Sequence, residues 1–162
     1  MLTKQRHLGL KWKSIFGATL IAGVLDITAA CAQNYLAGGV TPDAVLAYIA
    51  SGILGESAYS SDTAVLFLGL LVHFFIIFAC VFCFFWLYPK WSFLHRSILA
   101  NAVLIALIAW VVTTQIIVRL SAIPAGGFQL KNALISIGIL IIAVGFPIAY
   151  VAKRAYRKQQ DR

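Results

Sequence analysis

Four long apolar runs, each bounded by polar or basic residues, organise the chain. They extend from about Ser14 to Ala37, Ala64 to Tyr88, Ser97 to Ile123 and Asn132 to Ala152. Each reaches the roughly 20 residues a helix needs to cross the hydrocarbon core of a bilayer. The pattern predicts four transmembrane helices, with Pro147 kinking the last. Between the first two runs, Thr41-Pro42-Asp43 reads as a helix start: an N-cap, a proline in the first turn and a carboxylate near the positive end of the dipole. Val45, Leu46, Ile49 and Ile53 then recur at helical spacing, and Gly52 and Gly55 mark the end. That stretch is too short to span. It predicts an outer amphipathic helix over about 42–54, lying on the leaflet or folded as a cap over the bundle, with a structured loop as the alternative. No internal repeat is evident. The expected fold is an all-α membrane protein, a four-transmembrane-helix bundle forming one integral domain over 1–162, with a basic tail at 153–162.

Composition agrees with lipid as the solvent. Of 162 residues, 62% are hydrophobic and 11% charged, with a mean hydropathy of +0.92. A soluble domain carries roughly a quarter of its residues as Asp, Glu, Lys or Arg. The net charge of +8 does not indicate nucleic acid, because the basic residues flank apolar runs and form no patch with interleaved aromatics. They read as topology signals and as contacts to anionic lipid headgroups.

All Lys and Arg except Arg119 and Lys131 lie before the first run, between the second and third, or after the fourth. The segment between the first two runs has Asp43, Glu56 and Asp62 and no base. The positive-inside rule then places both ends on the cytoplasmic side. Trp12, Trp86, Tyr88, Trp91 and Tyr150 fall where aromatic anchors belong at the inner interface. A basic start followed by Ala30-Cys31-Ala32 also resembles a cleavable secretory signal. Asp26 interrupts that stretch, which favours a retained first helix.

The costly polar groups are Asp26, His73 and Arg119, since an ionisable residue within a span usually faces the bundle interior with a partner. Asp26 and His73 differ in predicted depth by less than one turn. Asp26 and Gln33 stand at i and i+7 on one face, and Gln115 and Arg119 at i and i+4. Thr113, Thr114 and Asn34 add further polar groups. The outer half would thus gather Asp26, Gln33, His73, Gln115 and Arg119 as a ligand- or proton-binding cluster, with Phe, Leu, Ile and Val filling the inner half. The structural alternative is a network that only holds helices in register, with Arg119 snorkelling to the interface. Ala18 and Ala22, a small-xxx-small pair, permit close helix approach.

The chemistry-bearing motifs are few. Cys80 and Cys83 form a C-x-x-C, but no second ligand pair accompanies them, so neither zinc nor another metal is expected; packing is the simpler role. His73 alone among the histidines lies inside a run, which argues against bis-histidine haem ligation. No cofactor is expected. There is no nucleophile elbow, phosphate loop or paired carboxylate. Enzyme chemistry would need Asp26 and His73 beside Ser121 or Thr114, or a reactive Cys80–Cys83 pair. Two readings lead: a small transport, permeation or ligand-binding protein using the polar cluster, and a structural or accessory subunit. Four spans would need a second copy or a partner membrane protein to make a pathway.

The segments AGVLDITAA, YIASGILGESAYS, GLLVHFF, LYPK, RLSAIP and IGILIIAVGFPIA are spread over most of the chain. Through them it resembles a group of small, uncharacterised four-helix inner-membrane proteins of bacteria. That resemblance implies the topology and a bacterial inner membrane, and no activity.

Overall fold

The computed structural model describes residues 11–60, 62–113 and 130–160, the side chains of 60 and 158–160 excepted. Helix α1 covers Trp12–Gly38, α2 Pro42–Leu54, α3 Thr63–Leu87, α4 Ile98–Val111, α5 Leu130–Leu140 and α6 Phe146–Gln160. Short 3-10 turns occupy Gly55–Ser60 and Ser92–His95, and a π-turn, Ile141–Gly145, joins α5 to α6. Among the described residues there is no strand. Three helices are long and apolar enough to cross a membrane: Trp12–Gly38, Thr63–Leu87 and the continuous Leu130–Arg157. The apolar α4 is shorter, and the remainder of the third predicted run lies outside the described residues.

Local chemistry sets the ends. Gly39, at φ 71°, turns left-handed after α1 and donates its amide to the Asn34 and Tyr35 carbonyls, a conformation that costs glycine little. The Asp62 carboxylate caps α3 by accepting from the Ala64 amide at 3.1 Å, and the Ser97 hydroxyl caps α4 by accepting from Ala100 at 3.2 Å. Pro147 has no amide to donate, so an unbroken helix through it would strand a carbonyl one turn earlier. The chain widens into the π-turn immediately before it. Where a kink at Pro147 is expected, the irregularity lies on its N-terminal side.

Helix α1 packs against α3 on one flank and against the π-turn and α6 on the other. Helix α4 packs on the π-turn and α6. Two backbone approaches explain why small residues stand where they do. Gly69 of α3 faces the Leu46 carbonyl of α2, and Gly145 faces the Ala102 carbonyl of α4, each leaving no room for a Cβ. By contrast α3 and α4, although consecutive, scarcely touch. Among the described residues the helices form a ring that is open along the α3/α4 seam.

The core comprises Ile15, Ala18, Ala22, Val81, Phe85 and Ile148 among others, all fully buried. The small-xxx-small pair of α1 thus meets neighbouring helices. Helix α2 buries Val45, Ala47, Ala50 and Ser51; of the apolar face expected from the sequence, Val45 is buried, Leu46 and Ile49 are half-buried and Ile53 is exposed. Gly69 lets the α2 main chain approach α3 closely.

The end where α3 turns into α4 is clamped by aromatics. Tyr88 stacks on Tyr156 with ring centroids 5.3 Å apart, and the Tyr156 hydroxyl donates to the Phe85 carbonyl at 2.8 Å. His95 Nε2 donates to the Tyr88 carbonyl at 2.9 Å, and Asn101 Nδ2 to the Leu94 carbonyl at 2.5 Å. The Asn101 side-chain oxygen is buried without a partner. Tyr88 is therefore not the interfacial anchor its position at the end of an apolar run suggests; it is 3% exposed and part of the core. Trp12, Trp86, Trp91 and Tyr150 are about half exposed, and the Lys90 ammonium lies 3.3 Å from the centre of a Trp86 ring.

Candidate functional site

At the other end of the α3/α4 seam, five helices converge on a cavity of about 210 Å³. Asp26 enters it from α1 and His73 from α3, near the middle of both helices. Helix α2 contributes Tyr48, Ile49, Gly52 and Ile53; α3 adds Val72, Ile76, Ile77 and Cys80. Ala109 and Thr113 close the α4 side, and Leu140 of α5 completes the wall. The lining is mostly hydrocarbon, with a few polar groups set into it.

His73 is placed by a close α1–α3 contact. Gly23 leaves space for the Phe74 ring, and the neighbouring imidazole reaches the Gly23 carbonyl, with His73 Nε2 at 3.0 Å. A carbonyl only accepts, so the Nε2 position carries the proton. In the neutral ring Nδ1 is then left as an acceptor. The ring is 8% exposed and meets Phe74 edge-on.

Asp26 lies within electrostatic reach of His73. No ion pair within 4.0 Å joins the two. Among the described residues no hydrogen bond engages the carboxylate either. Thr113 donates its hydroxyl to the Ala109 carbonyl at 2.8 Å, which leaves the oxygen lone pairs as acceptors. The cavity is therefore richer in acceptors than in donors, the Tyr48 phenol being the main exception. That phenol lies outside the long helices, and burial together with Tyr59 raises its pKa above the ordinary tyrosine range.

Of the residues singled out in the sequence, the fold brings Asp26 and His73 to one cavity, together with Thr113. Gln33 is half-buried two turns along α1 and does not line it. Asn34 turns back onto its own helix, donating to the Ala30 carbonyl at 2.8 Å. Gln115, Arg119, Thr114 and Ser121 lie outside the described residues. Sequence reasoning missed the α2 wall and Cys80. The positions Val72, His73, Ile76, Ile77 and Cys80 follow helical spacing around His73, so this part of the lining was recoverable once His73 was in hand.

The cysteines are all free thiols. Cys83 is exposed and Cys80 half-buried, so the expectation of two buried packing residues is corrected. They face an open seam where the sequence suggested a filled one. Among the described residues no group of three or more His, Cys, Asp or Glu is arranged to hold a metal.

Comparison with protein-family models, with curated proteins and with solved structures yields no match.

Proposed function

We propose that the chain is a four-span protein of a bacterial inner membrane, with both ends cytoplasmic, that binds and passes an organic cation through the Asp26 cavity. The carrying observation is that Asp26 lines a mostly apolar cavity with no hydrogen bond or ion pair among the described residues. A carboxylate held only for packing is expected to be paired, since an unpaired charge away from water is costly. A ligand that supplies the missing positive charge removes that cost. The apolar walls favour a cation that carries its own hydrocarbon. A bare metal ion or a hydrated inorganic cation needs several oxygen ligands to replace its water shell, and one carboxylate does not provide them.

Asp26 is the counter-charge in this reading. His73, with its Nε2 proton committed to Gly23, offers Nδ1 as an acceptor, and Thr113 offers its hydroxyl oxygen. The fourth span would comprise α4 and the residues that follow it to about Ile123. The basic residues at the α3/α4 turn and in the C-terminal half of α6 support the orientation and would contact anionic lipid headgroups. A second copy or a partner membrane protein would complete a pathway.

The test is calorimetric binding of tetraphenylphosphonium to the purified protein in lipid nanodiscs. Binding to wild type, weakened at least about tenfold, or roughly 1.4 kcal/mol, in Asp26→Asn is the expected result. Equal binding to both proteins would remove Asp26 from the site.

A further inference from the structure

The seam between α3 and α4 does not end at the Asp26 cavity. A second, almost wholly apolar groove of about 260 Å³ continues along it toward the aromatic clamp. On α3 it is walled by Cys83, Phe84 and Leu87, and on α4 by Leu104, Ile105 and Ile108. Trp91 and Leu94 close its far end. Cys80 and Ala109 belong to the walls of both spaces, one on each side of the seam. A mostly apolar cavity holding a few polar groups and an almost wholly apolar groove are thus neighbours along one seam, with wall residues in common. Together they have the polarity profile of an amphiphile.

We propose that the cavity and groove form one site for a single-chain cationic amphiphile, its ammonium head at Asp26 and its hydrocarbon tail in the α3/α4 groove. This deepens the organic-cation reading and rests on it. Three observations carry it. Among the described residues the carboxylate has no hydrogen bond or ion pair, which selects a positive head. His73 and Thr113 supply acceptors beside it, which suits a head with N–H donors or a positively charged rim. The groove has the right length: from His73 to Leu87, α3 advances about 21 Å at 1.5 Å per residue. A hydrocarbon tail filling one leaflet of a roughly 30 Å core needs about 15 Å. The near absence of α3–α4 packing leaves the groove open sideways, so a tail enters from the bilayer without first crossing water.

The thiols already in the chain report on the site. Cys83 lines the groove, Cys80 both spaces, and Cys31 of α1 neither. The experiment uses the full chain in nanodiscs and two probes at submicellar concentration, butyltrimethylammonium and dodecyltrimethylammonium. Alkylation of each cysteine by a membrane-permeant maleimide is followed by mass spectrometry, and binding separately by the shift in thermal midpoint. The dodecyl probe is expected to slow Cys83 alkylation at least about fivefold while Cys31 is unchanged, and to bind at least about tenfold more tightly than the butyl probe. Dodecanol, which has the tail without the charge, should not protect. Asp26→Asn should abolish protection; Ile108→Trp, which fills the groove, should abolish the chain-length preference while leaving butyl binding intact. If both probes bind equally, depend on Asp26 and leave Cys83 reactive, the tail site is overturned and the cation site stands. If neither probe's binding depends on Asp26, the cation site falls as well.

Discussion

The two ends of the α3/α4 seam solve the placing of polar groups among apolar helices in opposite ways. At the turn between the helices, Tyr156, His95 and Asn101 each send a donor to a main-chain carbonyl, and the rings of Tyr88 and Tyr156 stack over the contact. Around Asp26, the polar groups face a space. There the only interhelical hydrogen bond is that of His73 to Gly23 among the described residues, and the carboxylate has none. Side chains at the clamp place their donors on main-chain carbonyls, although the Asn101 oxygen is left without a partner. Asp26 differs in that a charged group, unpaired among the described residues, faces a cavity.

That contrast can be broken, and the largest effect should come from the clamp. Phe85 is fully buried and the largest such side chain. Phe85→Ala leaves a void that lipid cannot fill, and is expected to cost about 3 kcal/mol, measured by denaturant unfolding in mixed micelles. Next comes Gly69→Ala, which sets a methyl against the Leu46 main chain. A backbone carbonyl cannot swing aside, so a loss of about 1–3 kcal/mol is expected, with α2 displaced and cysteine accessibility at Cys80 increased. A smaller loss is expected from Tyr156→Phe. It strands the Phe85 carbonyl in the core and should lower stability by about 1–2 kcal/mol without altering cation binding. Smaller still is the effect of Gly23→Ala on folding. Its obstacle is the Phe74 ring, which can turn, so the readout is the neighbouring His73: weakened cation affinity with stability changed by about 1 kcal/mol or less.

Much of the helical layout is legible in the sequence because apolar length is itself the signal. The run from Ala64 to Tyr88 could hardly be anything but a helix in lipid, and Thr41-Pro42-Asp43 marks the start of α2 through the geometry of a first turn. Neighbour relations are another matter. Nothing in the spacing of Ile49 and Ile53 says that α2 would lay its Leu46 main chain against Gly69 of α3 and turn its isoleucines to a cavity. Nor does the pattern around Cys80 and Cys83 reveal that α3 stands away from α4, because packing partners are chosen by shape across the bundle. Tyr88 shows the same limit. At the end of an apolar run, a tyrosine that anchors at an interface and one that stacks in a core carry the same local signature. The pairing of Asp26 with His73 in one cavity was legible as a match of depth, since both lie near the middle of long helices; the absence of an ion pair between them was not.

The most direct measurement is the unfolding free energy of Asp26→Asn beside that of Tyr156→Phe, in the same lipid and without ligand. If Asp26 has no structural partner, replacing its charge with an amide removes a cost of burial, so the variant should be as stable as wild type or more stable, while Tyr156→Phe loses stability. A loss in Asp26→Asn as large as that in Tyr156→Phe would mean the carboxylate holds the fold together, and the contrast between the two ends of the seam would be wrong.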